Sequence, residues 1–401
     1  MSHIKMWLLG ILLVLSHYSL AAPISASSPD SLEISLLTCS PHQEVYSIYG
    51  HTAIRVHDKS LGSDFVVNYG VFDFNAPHFL WRFTFATADY EMGILPMPLF
   101  MREYILRQSS VTEQVLDLTG HEKAAIYHAL QENYRPENVK YRYNFFYDNC
   151  TTRARDMIVD HLDGLVTYRD SLPSTTFREY VHSCSEDYPW TTFGIDLLLG
   201  VSADCATTRA ERQFLPINLH DDFAGAMVSR SDGSERRLVK ETHELLKAGP
   251  TMTGTDMPIS PHTALLLLSA LILLVSAMEQ FWLKRLFWWF DALLMTIVGV
   301  VGIVLCALIF SKHPTVSTNL QCLLFNPLPL VMLYPVVKRL RHRQGHWWWT
   351  IQLILLVMCC IGSLFQDYAT GVPILACVLL YRCVTRVLLG KNTVKRGLNS
   401  E

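Results

Sequence analysis

The stretch YDNCTTRARD, residues 147–156, puts a single cysteine at the mouth of a helix. Ala154, Met157, Ile158 and Leu162 follow at helical spacing, and Asp148 or Asn149 stands where an N-cap is needed. Unpaired amides and the helix dipole at such a position stabilise a thiolate, which is the attacking species in cysteine chemistry. Cys150 therefore reads as a nucleophile, against two plainer readings, half of a disulfide or a buried structural thiol. A cysteine nucleophile also wants an imidazole within hydrogen-bond reach. His51, in YSIYGHTAIRVHD (46–58), opens a strand directly after Gly50, at a sheet edge where a cleft can form. His57 shares that strand face but lies farther from the turn.

Outward from this pair the pattern is α+β. HTAIRVHD (51–58) and DFVVNYGVFDF (64–74) alternate as strands across the turn signal KSLGS, and SSVTEQVLDL (109–118) reads as another strand. TGHEKAAIYHALQENYRP (119–136) predicts a helix with Thr119 as cap and Glu122 three residues on. Residues 216–258 read as a hairpin around SRSDGSERR followed by a polar linker. This region holds four cysteines, 39, 150, 184 and 205. In an oxidising compartment they permit two bridges. Cys184 with Cys205 is the expected one, since both lie in a loop-rich stretch, and Cys39 is the partner for Cys150 if that thiol is bridged.

The rest of the chain belongs to a bilayer. Half of the 401 residues are hydrophobic. MSHIKMWLLGILLVLSHYSLAAP has a lysine, a short apolar core and small residues, which is the pattern of a secretory signal peptide over 1–22. From Pro261 onward, apolar stretches at 264–283, 286–310, 320–337, 347–365 and 372–389 predict five transmembrane helices. Lys284 and Arg285, then Lys338, Arg339, Arg341 and Arg343, then Lys391, Lys395 and Arg396 follow the first, third and fifth spans. By the positive-inside rule these ends are cytoplasmic and the preceding domain is on the outer side. Trp288-Trp289 and Trp347-Trp348-Trp349 read as interfacial anchors, Asp291 as an interfacial carboxylate. FNPLPL (325–330) reads as a break in the third span, either a lipid-access groove or a kink. A net charge of −3 without a basic stripe points away from nucleic acid. The scattered histidines carry no metal-ligand spacing, so neither metal nor cofactor is expected.

YGHTAIRV, NYGVFDFNAPHFLWRF and YNFFYDNCTTRARD, in that order, resemble the Lnb N-terminal periplasmic domain family across residues 30–210. With the C-terminal spans added, the whole chain is similar to the Lnb family of bacterial lipoprotein N-acyltransferases. The order of His51 and Asn149-Cys150 also resembles circularly permuted NlpC-type, papain-like folds, among them lecithin:retinol acyltransferase. The resemblance implies a Cys150/His51 site with Asn68 on the next strand orienting the imidazole, and Asp73 as the fallback. It implies a phospholipid acyl donor, a lipidated lipoprotein as acceptor, and an oxyanion held by backbone amides that include that of Cys150. Tyr49, Tyr147, Asn149 and Arg153 are the candidate substrate contacts around the pair. The implied layout is a signal peptide (1–22), a periplasmic catalytic domain (23–215), a hairpin and linker (216–260), five membrane helices (261–390) and a cytoplasmic tail (391–401), in the bacterial inner membrane. A membrane-anchored cysteine hydrolase or peptidase on the same fold is the alternative, and a non-catalytic scaffold with Cys150 bridged is a second.

Overall fold

The computed structural model describes residues 28–42, 47–72, 77–78, 81–82, 85, 87–168, 174–249 and 257–398. The signal segment and Asp73 lie outside them. In chain order the outer domain contains β1 (Leu32–Cys39), β2 (His51–Asp58), β3 (Ser63–Val71), β4 (Asp89–Pro96), α1 (Met97–Arg107), β5 (Val111–Leu116), α2 (Gly120–Asn133), β6 (Lys140–Arg142), α3 (Cys150–Val159), β7 (Leu165–Thr167), α4 (Phe177–Ser185), α5 (Pro189–Leu198), α6 (Arg209–Arg212), α7 (Pro216–Gly225), β8 (Met227–Ser229), β9 (Glu235–Arg237) and β10 (Val239–Leu246). Seven strands form one antiparallel sheet in the order β10-β5-β1-β2-β3-β4-β6, and β7-β8-β9 form a small second one.

Strand alternation divides the sheet into two faces. Ile34, Leu36, Ile54, Val56, Val67 and Tyr69 pack with Ile126 of α2, Ala154 and Ile158 of α3, and Leu219 and Phe223 of α7. Leu37, Cys39, Ala53 and Val66 pack with Met97, Phe100 and Tyr104 of α1. The capping box predicted at Thr119 forms, with Glu122 reaching back to the cap amide. Residues 216–246 depart from the expected hairpin and linker. Pro216 starts α7, whose Leu219 and Phe223, four residues apart, are fully buried in the main core. β10 then pairs with β5 at the sheet edge, so the outer domain closes at 246 rather than at 215.

Below it lie α8 (Pro261–Ala277), α9 (Trp288–Ile309), α10 (Leu328–Arg341), α11 (Trp348–Gly362) and α12 (Val372–Leu398). Among the described residues, four stretches are long and apolar enough to cross a membrane, at 261–282, 288–309, 320–341 and 372–389. The fourth expected span differs. Its helix has 15 residues, about 22 Å at 1.5 Å per residue, against roughly 30 Å of hydrocarbon. The third is broken where FNPLPL predicted it, as a 3₁₀ turn at Leu320–Leu323 followed by α10. Asn326 Nδ2 bonds the freed Leu323 carbonyl at 3.2 Å, which supports the kink reading.

Two sequence expectations in this region are corrected. Asp291 is not interfacial. It is 1 % exposed and bonds Arg382 Nε at 2.7 Å and Arg386 Nη2 at 2.7 Å, while Glu279 holds Arg386 at 2.7 Å. A carboxylate in an apolar bundle needs such partners, and they come from the last helix. Of the tryptophans, Trp289 and Trp347 are exposed as anchors, but Trp348 and Trp349 are buried in the bundle.

The loops 310–319 and 363–371 meet the outer domain. Gly200 donates to Thr315 O at 2.7 Å and Val201 to Thr318 O at 2.9 Å. Asn319, Gln321 and Gln366 donate to the carbonyls of Leu197, Asp196 and Leu199 at 2.7, 2.8 and 2.9 Å. A β-carbon on Gly200 would lie 2.3 Å from Thr318 O, so only glycine permits this approach. These contacts put the outer domain at the ends of the bundle opposite the basic loops, in agreement with the charge pattern.

Candidate active site

β2, the central strand of the seven, and the N-terminus of α3 meet at one end of the sheet. His51 is the first residue of β2, and Cys150 the first of α3. The Asn149 side chain caps that helix by accepting from the Thr151 and Thr152 amides at 2.8 and 2.9 Å, which leaves the Cys150 amide free of the cap. Thr52 Oγ1 and Thr151 Oγ1 are 3.1 Å apart and pin the strand to the helix one residue behind the reacting pair.

His51 and Cys150 lie close enough for each to shift the other's proton affinity, and His51 Nε2 is 3.1 Å from Asn68 Oδ1. Ala53 and Asn68 are cross-strand partners, so His51 and Asn68 project from one face of neighbouring strands. The amide oxygen accepts from Nε2–H, which leaves Nδ1 to take the thiol proton. Burial pushes the Cys150 thiol up, but the charge and hydrogen bond of His51 outweigh it. Helped by the Thr52 amide and the Thr151 hydroxyl, they bring the thiol down to about 7. For His51, burial works against the charged ring, and the Cys150 thiolate and Asn68 overcome it and raise the pKa. Each group favours the charged form of the other, the arrangement that suits a cysteine to nucleophilic attack on a carbonyl.

Other expected site residues are placed differently. Asn149 is buried, and its Nδ2 donates to the carbonyls of Phe145 and Phe214, both at 2.8 Å, so no part of it is left for substrate. Arg153 is held by Asp148 through Nε at 2.6 Å and Nη2 at 2.9 Å, and its guanidinium lies 3.5 Å from the centre of the Tyr141 ring. It is thus occupied rather than waiting for a phosphate. Tyr49 packs edge-on against Phe145, and half-exposed Tyr147 packs against Phe177. Both belong to an aromatic cluster with Phe146 and Phe214 that extends to Leu199 at the junction with the bundle.

No disulfide forms among the described residues. Cys205 is tied to the N-terminal end of α4 by the Thr176–Ala206 bridge, whereas Cys184 is eight residues along that helix. Cys39 is buried beside Tyr104 with its thiol pushed far up by desolvation, and it is not bonded to Cys150. Sequence reading missed Thr52, Thr151 and Tyr141. The alternation of Tyr141 and Tyr143 in KYRY carried a signal for the last.

Two family models match the chain. Residues 20–183 match the Lnb N-terminal periplasmic domain, and residues 253–393 match the Lnb transmembrane domain. No curated protein and no solved structure matches the chain significantly. The two matches lie in the order expected of one polypeptide, a periplasmic domain and then its membrane helices, and the chain is a member of the Lnb family.

Proposed function

We propose that this protein is a lipoprotein N-acyltransferase of the bacterial inner membrane, working by a two-step exchange through a thioester on Cys150. His51 takes the thiol proton and the sulfur attacks an ester carbonyl of a membrane phospholipid. The ester C–O bond breaks, the leaving lysophospholipid oxygen takes the proton from His51, and the acyl group stays on sulfur. The α-amine of a lipidated N-terminal cysteine then attacks the thioester. His51 removes its proton, the C–N bond forms, and the thiolate returns. Asn68 holds the imidazole for both steps. On this reading the fold is a permuted papain-like domain on five membrane crossings, and the short α11 crosses where the bundle is thin or with its flanking turns.

The observation that carries the reading is Cys150 beside His51, whose ring is hydrogen-bonded to Asn68, in a domain docked on an apolar helical bundle. Both reactants are membrane-anchored, and a tethered site meets them by lateral diffusion. The test is mass spectrometry of a reporter lipoprotein's N-terminal peptide, from cells lacking their own N-acyltransferase. A third acyl chain on the amine is expected with the wild-type protein and not with Cys150→Ala. Acylation by both would remove Cys150 from the mechanism, and acylation by neither, with both proteins in the membrane, would remove the transferase reading.

A further inference from the structure

Behind Cys150 the sheet leaves a small space that no side chain fills. Gly70, at φ +88°, has no β-carbon. One placed there would stand 3.9 Å from Cys150 Cβ, 3.7 Å from Tyr143 Cε2 and 4.0 Å from Tyr141 Oη. The Tyr141 hydroxyl and Cys150 Cβ therefore wall one space and are no more than 7.9 Å apart, since they lie 4.0 and 3.9 Å from the same point. Tyr141 is 8 % exposed, yet its hydroxyl has no hydrogen-bond partner that satisfies it. The Gly70 amide faces the hydroxyl, but it is itself a donor and offers the O–H proton no acceptor. A buried hydroxyl left in this state is costly, and such a cost is retained where an acceptor arrives with the substrate.

We propose that the Tyr141 hydroxyl is the second oxyanion donor of this site, acting beside the Cys150 backbone amide. The inference rests on the thioester chemistry proposed above. When the sulfur adds to the ester carbonyl, the C–S bond forms and the carbonyl π electrons move onto oxygen. That oxygen accepts hydrogen bonds from Tyr141 Oη–H and Cys150 N–H without taking either proton. When the intermediate collapses, the C=O bond re-forms, the ester C–O bond breaks, and both donors are released.

Three further features suit Tyr141 to this role. Burial, reinforced by the nearby Cys150 charge, pushes the phenol up, so it remains a donor at any pH where the enzyme works. Arg153 lies over the ring at 3.5 Å, and Asp148 holds Arg153 by two bonds. These two are positioning residues, which explains why the arginine three residues past the nucleophile turns inward. Tyr141 is also paired with Tyr90 across β4 and β6, which fixes its backbone.

An oxyanion donor acts on a carbonyl and not on an alkyl halide, and the two can be measured on the same sulfur. The first assay is the p-nitrophenol burst when the purified full-length protein meets p-nitrophenyl octanoate, an ester that needs neither phospholipid nor lipoprotein. The second is alkylation of Cys150 by iodoacetamide, which forms no oxyanion. For Tyr141→Phe the burst rate constant is expected to fall about 100-fold, as for loss of one oxyanion donor elsewhere, with alkylation unchanged. A burst at the wild-type rate overturns the proposal. So does a parallel loss of burst and alkylation, which would mark Tyr141 as a packing residue. A Tyr141-dependent burst without transfer to a lipoprotein supports the donor and sinks only the acceptor assignment, whereas a wild-type protein with no burst sinks both.

Discussion

At the scale of single residues, Cys150 has two opposing influences on its proton. Burial favours the thiol, and His51 with the Thr52 amide and Thr151 hydroxyl favours the thiolate. Because the lowered value is about 7, alkylation by iodoacetamide is expected to rise with pH about a midpoint near 7. Above that midpoint the thiolate is present, and below it the rate falls. In His51→Ala the stabilising charge is gone while burial remains, so the midpoint moves above the ordinary thiol value. A midpoint that stays near 7 in His51→Ala would separate the two residues. Cys150 and His51 were legible because their chemistry follows from position, at a helix start and a strand start. Asn68 was reached through the resemblance to permuted papain-like folds, and it stands 3.1 Å from the His51 ring. Asn149 and Arg153 were misread because a residue type does not reveal whether its hydrogen bonds are already taken. Phe145, Phe214 and Asp148 take them here.

At the scale of elements, α3 depends on Asn149 at both ends of its side chain. The oxygen caps two amides, and the nitrogen ties the helix start to Phe145 and to Phe214, 65 residues on. Asn149→Ala loses the cap, about 1–2 kcal/mol, and leaves two carbonyls without their donor. Asn149→Asp keeps the cap and loses only the donors. Thermal unfolding is expected to order the proteins wild type, then Asp, then Ala. An Ala variant as stable as the Asp variant would mean that the cap contributes nothing. The Asp148-or-Asn149 ambiguity in the sequence is resolved by this geometry, for Asp148 is turned to Arg153. The 216–246 segment was harder to read. The linker-like polarity of β10 belongs to an edge strand whose residues 240–244 are all exposed, and its pairing with β5 joins residues more than a hundred positions apart.

At the scale of the whole molecule, two polar systems hold apolar parts together. One is the set of amide side chains at the junction, where Asn319, Gln321 and Gln366 bond backbone carbonyls of residues 196–199. The other is the buried quartet of Glu279, Asp291, Arg382 and Arg386, two charges of each sign. Removing one member leaves an uncompensated charge, at about 3–5 kcal/mol. Arg386→Ala is therefore expected to lower the unfolding temperature in detergent well below that of wild type. Arg386→Gln combined with Glu279→Gln, which keeps the remaining charges equal, should regain part of the loss. A double variant no more stable than the single one would refute charge balance as the cause. Sequence charge patterning gave the direction of the helices. The quartet stayed hidden, because its acids and its arginines stand 91 to 107 positions apart.

That separation has a consequence for how the chain is made. The acids sit on the first and second apolar stretches and the arginines on the last, so synthesis delivers the carboxylates first. At about 5–20 residues per second the interval between partners is roughly 5–20 s. Throughout that time the early helices hold acidic groups with no arginine to meet them, and the bundle cannot close. A chain cut short before Arg382 therefore keeps two acids that no arginine of the last helix meets.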